Sequence, residues 1–369
     1  MSHLIPVSAP NLAGRERRYV LDCLDSNWIS SRGPYLDRFE KAFAARVGVR
    51  HAVAVCNGTC AMHIALLAAG VAPGDEVLVP TLTFIATVNA VAYIGARPVF
   101  VDSEPETGNI DPGKIEAAVT KKTKAIVAVH LYGHPCAMDQ IAAIARRRRL
   151  LLIEDAAEAL GGLYKGRAVG SFGKAAAFSF FGNKTITTGE GGMVVTDDER
   201  LARRARLLKG QGMTPGRTYF FETLGYNYRM TNIQAAIGLA QLEKLDFYVR
   251  RKREIAAAYG RRLNAIQGLS LPVEKKGAFQ TYWMYSILVD PERFGRSRDE
   301  LMALLAEKRI ETRRYFYPCH TMPPHRHRTR RRFPVAARLG EQGLNLPSST
   351  ALTRPEIERV CAAIASAAR

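Results

Sequence analysis

From residue 51 to residue 180 the chain alternates short apolar runs with stretches of helical spacing. Strands are predicted at 51–55, 76–79, 98–101, 124–130 and 150–153, with a further one ending at Ser179 and Phe180. Between them, apolar spacing predicts helices at 61–69, 83–93 and 137–149. Runs this short and this apolar are buried on both faces. Strands separated by helices then join as a largely parallel sheet covered on both sides. The predicted fold class is α/β. In such sheets, ligands bind outside the carboxyl ends of the strands. Asn57-Gly58-Thr59, Phe84, His130, Asp155 and Ser179 all stand at or just beyond such ends.

The stretch 178–192, FSFFGNKTITTGEGG, places one lysine, Lys184, among glycines and hydroxyls after the last of these strands. Gly182, Gly189, Gly191 and Gly192 allow tight turns and close backbone approach. A lysine shielded by aromatic residues has its amine pKa lowered and becomes a nucleophile toward a carbonyl. Taken alone, Gly-Asn-Lys reads as a surface turn. The acidic pair Glu154-Asp155, at the end of an apolar strand, changes that balance. A lysine that bonds a carbonyl, with an aspartate for a pyridinium nitrogen, is what pyridoxal phosphate chemistry requires. The turn Cys56-Asn57-Gly58-Thr59 opens a helix and is a natural anion site, although the same residues also serve as ordinary helix-capping chemistry.

Helical spacing is also present at 14–25 and 35–47, with a loop from Trp28 through Ile29, Ser30 and Ser31 to Pro34 between them. A polar loop at 225–232 leads into a long helix predicted over 233–263. We expect a large domain over 1–245 and a smaller α+β domain over 246–369. The latter holds a strand at 283–289, a helix at 298–308, strand-like residues at 311–317, a short helix near 334–339 and a final helix from Arg354.

At 369 residues, 47% apolar and 24% charged, the chain has a globular balance. Its six cysteines lack paired spacing, which points to a reduced, cytoplasmic setting. The amino terminus has no signal pattern, and no apolar run reaches the ~20 residues of a membrane helix. The net charge of +19 lies largely in arginine runs at 146–149, 203–206, 250–253 and 326–332. These are dispersed, three sit on predicted helices, and no nucleic-acid module surrounds them, so solvated surface is favoured over nucleic-acid binding. The 325–332 run is read the same way, with a nucleotide diphosphate as its other possible partner. His130 with His134, Cys319 with His320, and His325 with His327 lack the spacing of a zinc site, and no metal is expected. No GxGxxG follows the first strand, which disfavours a dinucleotide fold.

Several stretches together cover nearly the whole chain: SNWISSRGPYLDRFE, CNGTCAMHIALLA, GDEVLVPTLTFIATVNAV, KAIVAVHLYGHPCAMD, EDAAEALG, FSFFGNKTITTGEGGM, GYNYRMTNIQAAIGLAQLE, YFYPCHTMP and LNLPSS. In these the sequence resembles the DegT/DnrJ/EryC1/StrS family of sugar aminotransferases, which have the aspartate-aminotransferase (type I pyridoxal phosphate) fold. The resemblance implies that Lys184 bonds pyridoxal 5'-phosphate and moves a proton, while Asp155 pairs with its ring nitrogen. It also implies that Phe84 stacks on the ring and that Gly58, Thr59 and Ser179 hold the phosphate. Glu158, where many relatives carry Gln, is expected near the cofactor's phenolic oxygen or the substrate. Asn227 is expected to reach the cofactor phosphate of a neighbouring subunit in a homodimer with shared sites. Trp28, Ile29, Ser30, Tyr317 and His320 are expected to line a sugar pocket. The implied reaction takes an amino group from glutamate to the C4 ketone of a nucleotide-linked 4-keto-6-deoxy sugar. GDP-4-keto-6-deoxy-mannose is the first choice, with a dTDP- or UDP-linked sugar as the alternative. A non-catalytic protein of the same fold is the reading of another class. A related dehydratase would carry histidine in place of Lys184.

Overall fold

Seven apolar runs become the strands of one sheet: β1 (His51–Val55), β2 (Glu76–Pro80), β3 (Arg97–Val101), β4 (Thr123–Val129), β5 (Leu151–Asp155), β6 (Ala175–Ser179) and β7 (Gly192–Thr196). The computed structural model describes residues 3–326 and 331–368. The strand order is β1-β7-β6-β5-β4-β2-β3. All pairs are parallel except those made by β7, which runs antiparallel between β1 and β6. This confirms the largely parallel α/β sheet and adds one strand that periodicity missed. Gly192–Thr196 follows the loop 180–191 with no helix before it, and the chain reverses beside β6.

Alternation along the strands divides two cores. Val53, Val77, Val127, Ile153 and Val194 face the helices Gly58–Ala69, Ile85–Tyr93 and Glu199–Lys209. Ala54, Phe178, Met193 and Val195 face the other way, onto Phe39 and Phe43 of the helix Pro34–Val47. Leu78, Ile126 and Leu152 extend that second face against the helix Met138–Arg148.

The smaller unit is an antiparallel sheet in the order Leu269–Ser270, Tyr285–Val289, Gly343–Leu346, Arg313–Arg314, packed against helices Leu245–Leu263, Arg298–Glu307 and Arg354–Ala365. The fold is thus a large mixed α/β domain with a smaller carboxyl-terminal α+β domain. The helix predicted over 233–263 is two, Asn232–Leu242 and Leu245–Leu263. Leu245, Tyr248 and Val249 belong to the core of the large domain, whereas Ile255, Tyr259 and Leu263 belong to that of the small one. Only Arg313–Arg314 of the strand-like 311–317 pairs in the sheet. Near the amino terminus, Ile5 forms a parallel bridge to Ile310 and is buried in the small-domain core.

Among the described residues no helix is long and apolar enough to cross a membrane. Among the described residues, no cluster of three or more His, Cys, Asp and Glu side chains could hold a metal ion. Of the 325–332 run, residues 327–330 lie outside the described chain; His325 is buried, its Nε2 3.1 Å from Asn89 Oδ1.

Candidate active site

Strand alternation separates the adjacent carboxylates at the end of β5. Glu154 points to one face and is wholly buried. It accepts hydrogen bonds from the backbone N–H groups of Gly170, Phe172 and Gly173, each at 2.7 Å, and lies 3.1 Å from His130 Nε2. That carboxylate is used up in holding a loop. Asp155 points to the opposite face, into a cavity of about 480 Å³ beyond the carboxyl edge of the sheet. The Thr87 hydroxyl donates to it at 2.7 Å and the Ala157 N–H at 3.1 Å, so one rotamer is held.

Lys184 enters the same cavity from the turn after β6, closed by its own N–H to the Phe181 carbonyl at 2.9 Å. Its ammonium lies 3.8 Å from Glu158 Oε1 and 3.8 Å from the centre of the Trp283 ring. Burial holds the Lys184 amine below its ordinary value, opposed by the charges of Glu158 and Asp155. Burial likewise pushes Glu158 up to about 7, against the pull of Lys184 and of the Tyr132 N–H that donates to it at 2.7 Å. The amine therefore gives up its proton more readily than a free lysine, next to a carboxyl group able to exchange one.

The far end of the cavity is built for an anion. Asn57 caps the helix Gly58–Ala69, accepting from Cys60 N–H at 2.8 Å, and Gly58, Thr59 and Ser179 line the wall there. A Cβ on Gly58 would stand 2.6 Å from Ser179 Cβ, so only glycine lets the helix start approach the end of β6 this closely. Gly192 is equally constrained, but by the Asn57 carbonyl at 2.4 Å from an added Cβ rather than by space for a ligand. Gly189 takes a φ of +79°, the left-handed turn that favours glycine, and neither it nor Gly182 has a protein atom within 4 Å of an added Cβ. Phe84, 53% exposed, presents its ring at the cavity beside Phe316.

A family profile of the DegT/DnrJ/EryC1/StrS aminotransferases matches residues 10–365. The GDP-perosamine synthase of Escherichia coli O157:H7 is 53% identical over 360 residues, covering 98% of this chain and 97% of the relative. The crystal structure of DesI in the presence of its TDP-sugar product superposes with a TM-score of 0.92 at 37% identity, over 99% of this chain and 93% of that one. The PLP-form of the putative sugar aminotransferase Spr1654 from Streptococcus pneumoniae gives 0.93 at 27% identity, over 99% and 98%.

The chain belongs to the DegT/DnrJ/EryC1/StrS aminotransferase family. It is a pyridoxal phosphate-dependent aminotransferase acting on nucleotide sugars, and its residues fit that cofactor. The cavity joins a glycine-opened helix start and two hydroxyl residues at one end with a fixed carboxylate and a lysine farther in. Of the residues singled out from sequence, Gly58, Thr59, Phe84, Asp155, Glu158, Ser179 and Lys184 line this one cavity.

The others do not. Asn227 lies in a separate segment, bridged to Gly210 and accepting from Arg229 Nε at 3.1 Å. Trp28, Ile29 and Ser30 are exposed on a surface loop. Tyr317 is half exposed and lies under the Arg314 guanidinium, 4.7 Å away. His320 is turned from the cavity, with Nδ1 2.7 Å from the Thr81 hydroxyl and its ring against Phe333. Thr87, Trp283, Arg313, Arg314, Phe316 and Asn345 line the cavity without having been foreseen. Thr87 could have been found as a hydroxyl on the first turn of the helix behind Phe84. The rest come from the small domain, and no local pattern links them to Lys184.

Proposed function

We propose that this aminotransferase moves an amino group from glutamate to the C4 ketone of GDP-4-keto-6-deoxy-mannose, giving GDP-perosamine. The observation that carries the chemistry is Lys184, held between Glu158 and the Trp283 ring in the cavity that also holds Asp155. What supports the sugar is 53% identity to a GDP-perosamine synthase, against 37% to DesI, whose structure holds a TDP-sugar product. A dTDP- or UDP-linked 4-keto sugar is the alternative acceptor. The intact pair of Lys184 and Asp155 speaks against a non-catalytic protein of the same fold.

Gly58, Thr59 and Ser179 would hold the phosphate, Phe84 would cover the ring, and Asp155 would keep the ring nitrogen protonated. Bound there, pyridoxal phosphate supplies a carbonyl for Lys184 and a ring that takes up the electron pair released at the reacting carbon. Lys184, once free, carries a proton between the substrate carbon and the cofactor carbon. Glu158 serves as its proton partner. Arg313 and Arg314 bring positive charge to the small-domain wall, suited to the donor's carboxylates or to a diphosphate. A coupled assay with glutamate and a panel of GDP-, dTDP- and UDP-4-keto sugars tests this reading. Faster turnover of a dTDP or UDP sugar than of the GDP sugar overturns the acceptor.

The working unit in this proposal is a homodimer in which Asn227 reaches the partner's cofactor phosphate. The apolar segment next to it supports this, since Tyr219 is 84% and Leu224 93% exposed. Mixing inactive Lys184→Ala and Asn227→Asp chains should restore activity in hybrid dimers, because one site then collects both defects and the other none. Hybrids confirmed by mass but inactive would exclude sharing. The division of domains at residues 245 and 246 and a cytoplasmic location complete the proposal.

A further inference from the structure

Trp283 is placed by three separate contacts. Its indole Nε1–H donates to the Asn183 carbonyl at 2.8 Å, gripping the backbone next to Lys184. Its own carbonyl accepts from Lys252 Nζ at 3.0 Å, and that lysine also donates to the Ser348 carbonyl at 2.9 Å. Its ring stacks on Tyr132 with centroids 6.1 Å apart and planes 19° from parallel. Lys252 is buried and makes no salt bridge within 4 Å among the described residues; burial lowers its amine to about 8. A lysine spent on two carbonyls at a domain junction is costly to bury, and what it holds is the residue whose ring lies 3.8 Å from the Lys184 ammonium.

We propose that Trp283 is the seat of the free Lys184 ammonium. Whenever the lysine is not bonded to the cofactor, its charge rests on the indole face, with Glu158 and Asp155 facing it and Lys252 pinning the tryptophan in place. The charged groups facing Lys184 are Glu158 and Asp155; Glu190, Arg313 and Arg314 are the others on the cavity wall. An indole face attracts a desolvated ammonium without competing for its proton, so the amine is held ready but not trapped. This inference rests on the role given to Lys184 above, and it makes Trp283 a positioning residue rather than a packing one.

Lys184 is free both in the apoenzyme and in the form that carries pyridoxamine phosphate, and bonded only in the pyridoxal phosphate form. Removing the seat should therefore leave the affinity for pyridoxamine phosphate little changed and tighten that for pyridoxal phosphate. In Trp283→Leu we expect the dissociation constant of pyridoxal phosphate to fall about tenfold, while that of pyridoxamine phosphate changes less than about threefold. Trp283→Phe keeps an aromatic face and should lower the ratio of the first constant to the second by about threefold. Equal weakening of both cofactors in Trp283→Leu, or an unchanged ratio, overturns the seat. If the leucine variant does not fold, an unchanged ratio in Trp283→Phe does the same. Borohydride reduction of the wild-type holoenzyme separates the two layers. An adduct mapped to another lysine sinks the functional reading, whereas an adduct on Lys184 with an unchanged ratio sinks only the seat.

Discussion

The two walls of the cavity are made in different ways. The large-domain wall is the carboxyl edge of one sheet, where Asp155 and Ser179 end neighbouring strands and Lys184 follows the second by a single turn. Parallel pairing of β5 with β6 puts these groups together whatever the small domain does. The small-domain wall collects Trp283, Arg313, Arg314, Phe316 and Asn345 from segments far apart in the chain. They meet Lys184 because the two domains dock: Trp283 and Tyr315 pack with Tyr132 in the large-domain core, and the helix Leu245–Leu263 is shared between the two cores. The difference teaches that Asp155 and Lys184 are placed by sheet topology, whereas the opposite wall is set by domain docking. Changes on the first should abolish or slow turnover, and changes on the second should alter affinity.

The largest effect is expected for Lys184→Ala, which should lose turnover and the borohydride-reducible adduct while keeping its circular dichroism. Turnover by that variant would dissolve the distinction between the walls. Asp155→Asn should bind cofactor but slow transamination on the order of 10²-fold or more, because an amide cannot stabilise a protonated ring nitrogen. Its single-turnover rate with glutamate measures this directly, and near wild-type kinetics would remove Asp155 from the mechanism. Across the cavity, Arg313→Met should raise the KM for glutamate or for the nucleotide sugar about tenfold with kcat little changed, the loss of one charge-assisted contact. A fall in kcat with KM unchanged would place chemistry on the small-domain wall as well.

The smallest effect concerns Glu158. Its folded value of about 7 lies above the ordinary 4.5, so the folded chain holds a proton that the unfolded chain has released. Stability from this group is present at low pH and declines as pH rises from 4.5 to about 7. Glu158→Gln has no such proton to lose. Relative to wild type, its melting temperature should rise by about 2 °C between pH 5 and pH 8. A difference that stays flat with pH would mean that Glu158 is not held protonated by burial.

Much of the large-domain wall was legible in the sequence because its causes are local. The strand 51–55 has the predicted bounds, and 76–79 gains only Pro80. The helix expected from residue 61 begins at Gly58, since Asn57 supplies the cap one turn earlier. Where pairing partners matter, local reading fails. β7 has no helix to announce it, and most of 311–317 remains irregular because only two residues find a neighbour in the small sheet. The break between Asn232–Leu242 and Leu245–Leu263 is not recorded in the periodicity, and neither is the hand-over from one core to the other, which lies within the second helix between Val249 and Ile255.

The sequence by itself determined the α/β alternation, the family, and the roll of groups at the strand ends: Gly58, Thr59, Phe84, Asp155, Glu158, Ser179 and Lys184. Each follows from a period, a turn or a motif within a few residues of itself. The tertiary structure alone supplied the reason that Asp155, and not its neighbour Glu154, serves the site. Strand alternation sends Asp155 to the cavity and Glu154 to the loop at 170–173. Only it put Trp283 on Lys184 and turned His320 away to Thr81. Those contacts join residues far apart in the chain, and their geometry depends on how two domains pack, a sum over many weak contacts that no short stretch of sequence contains.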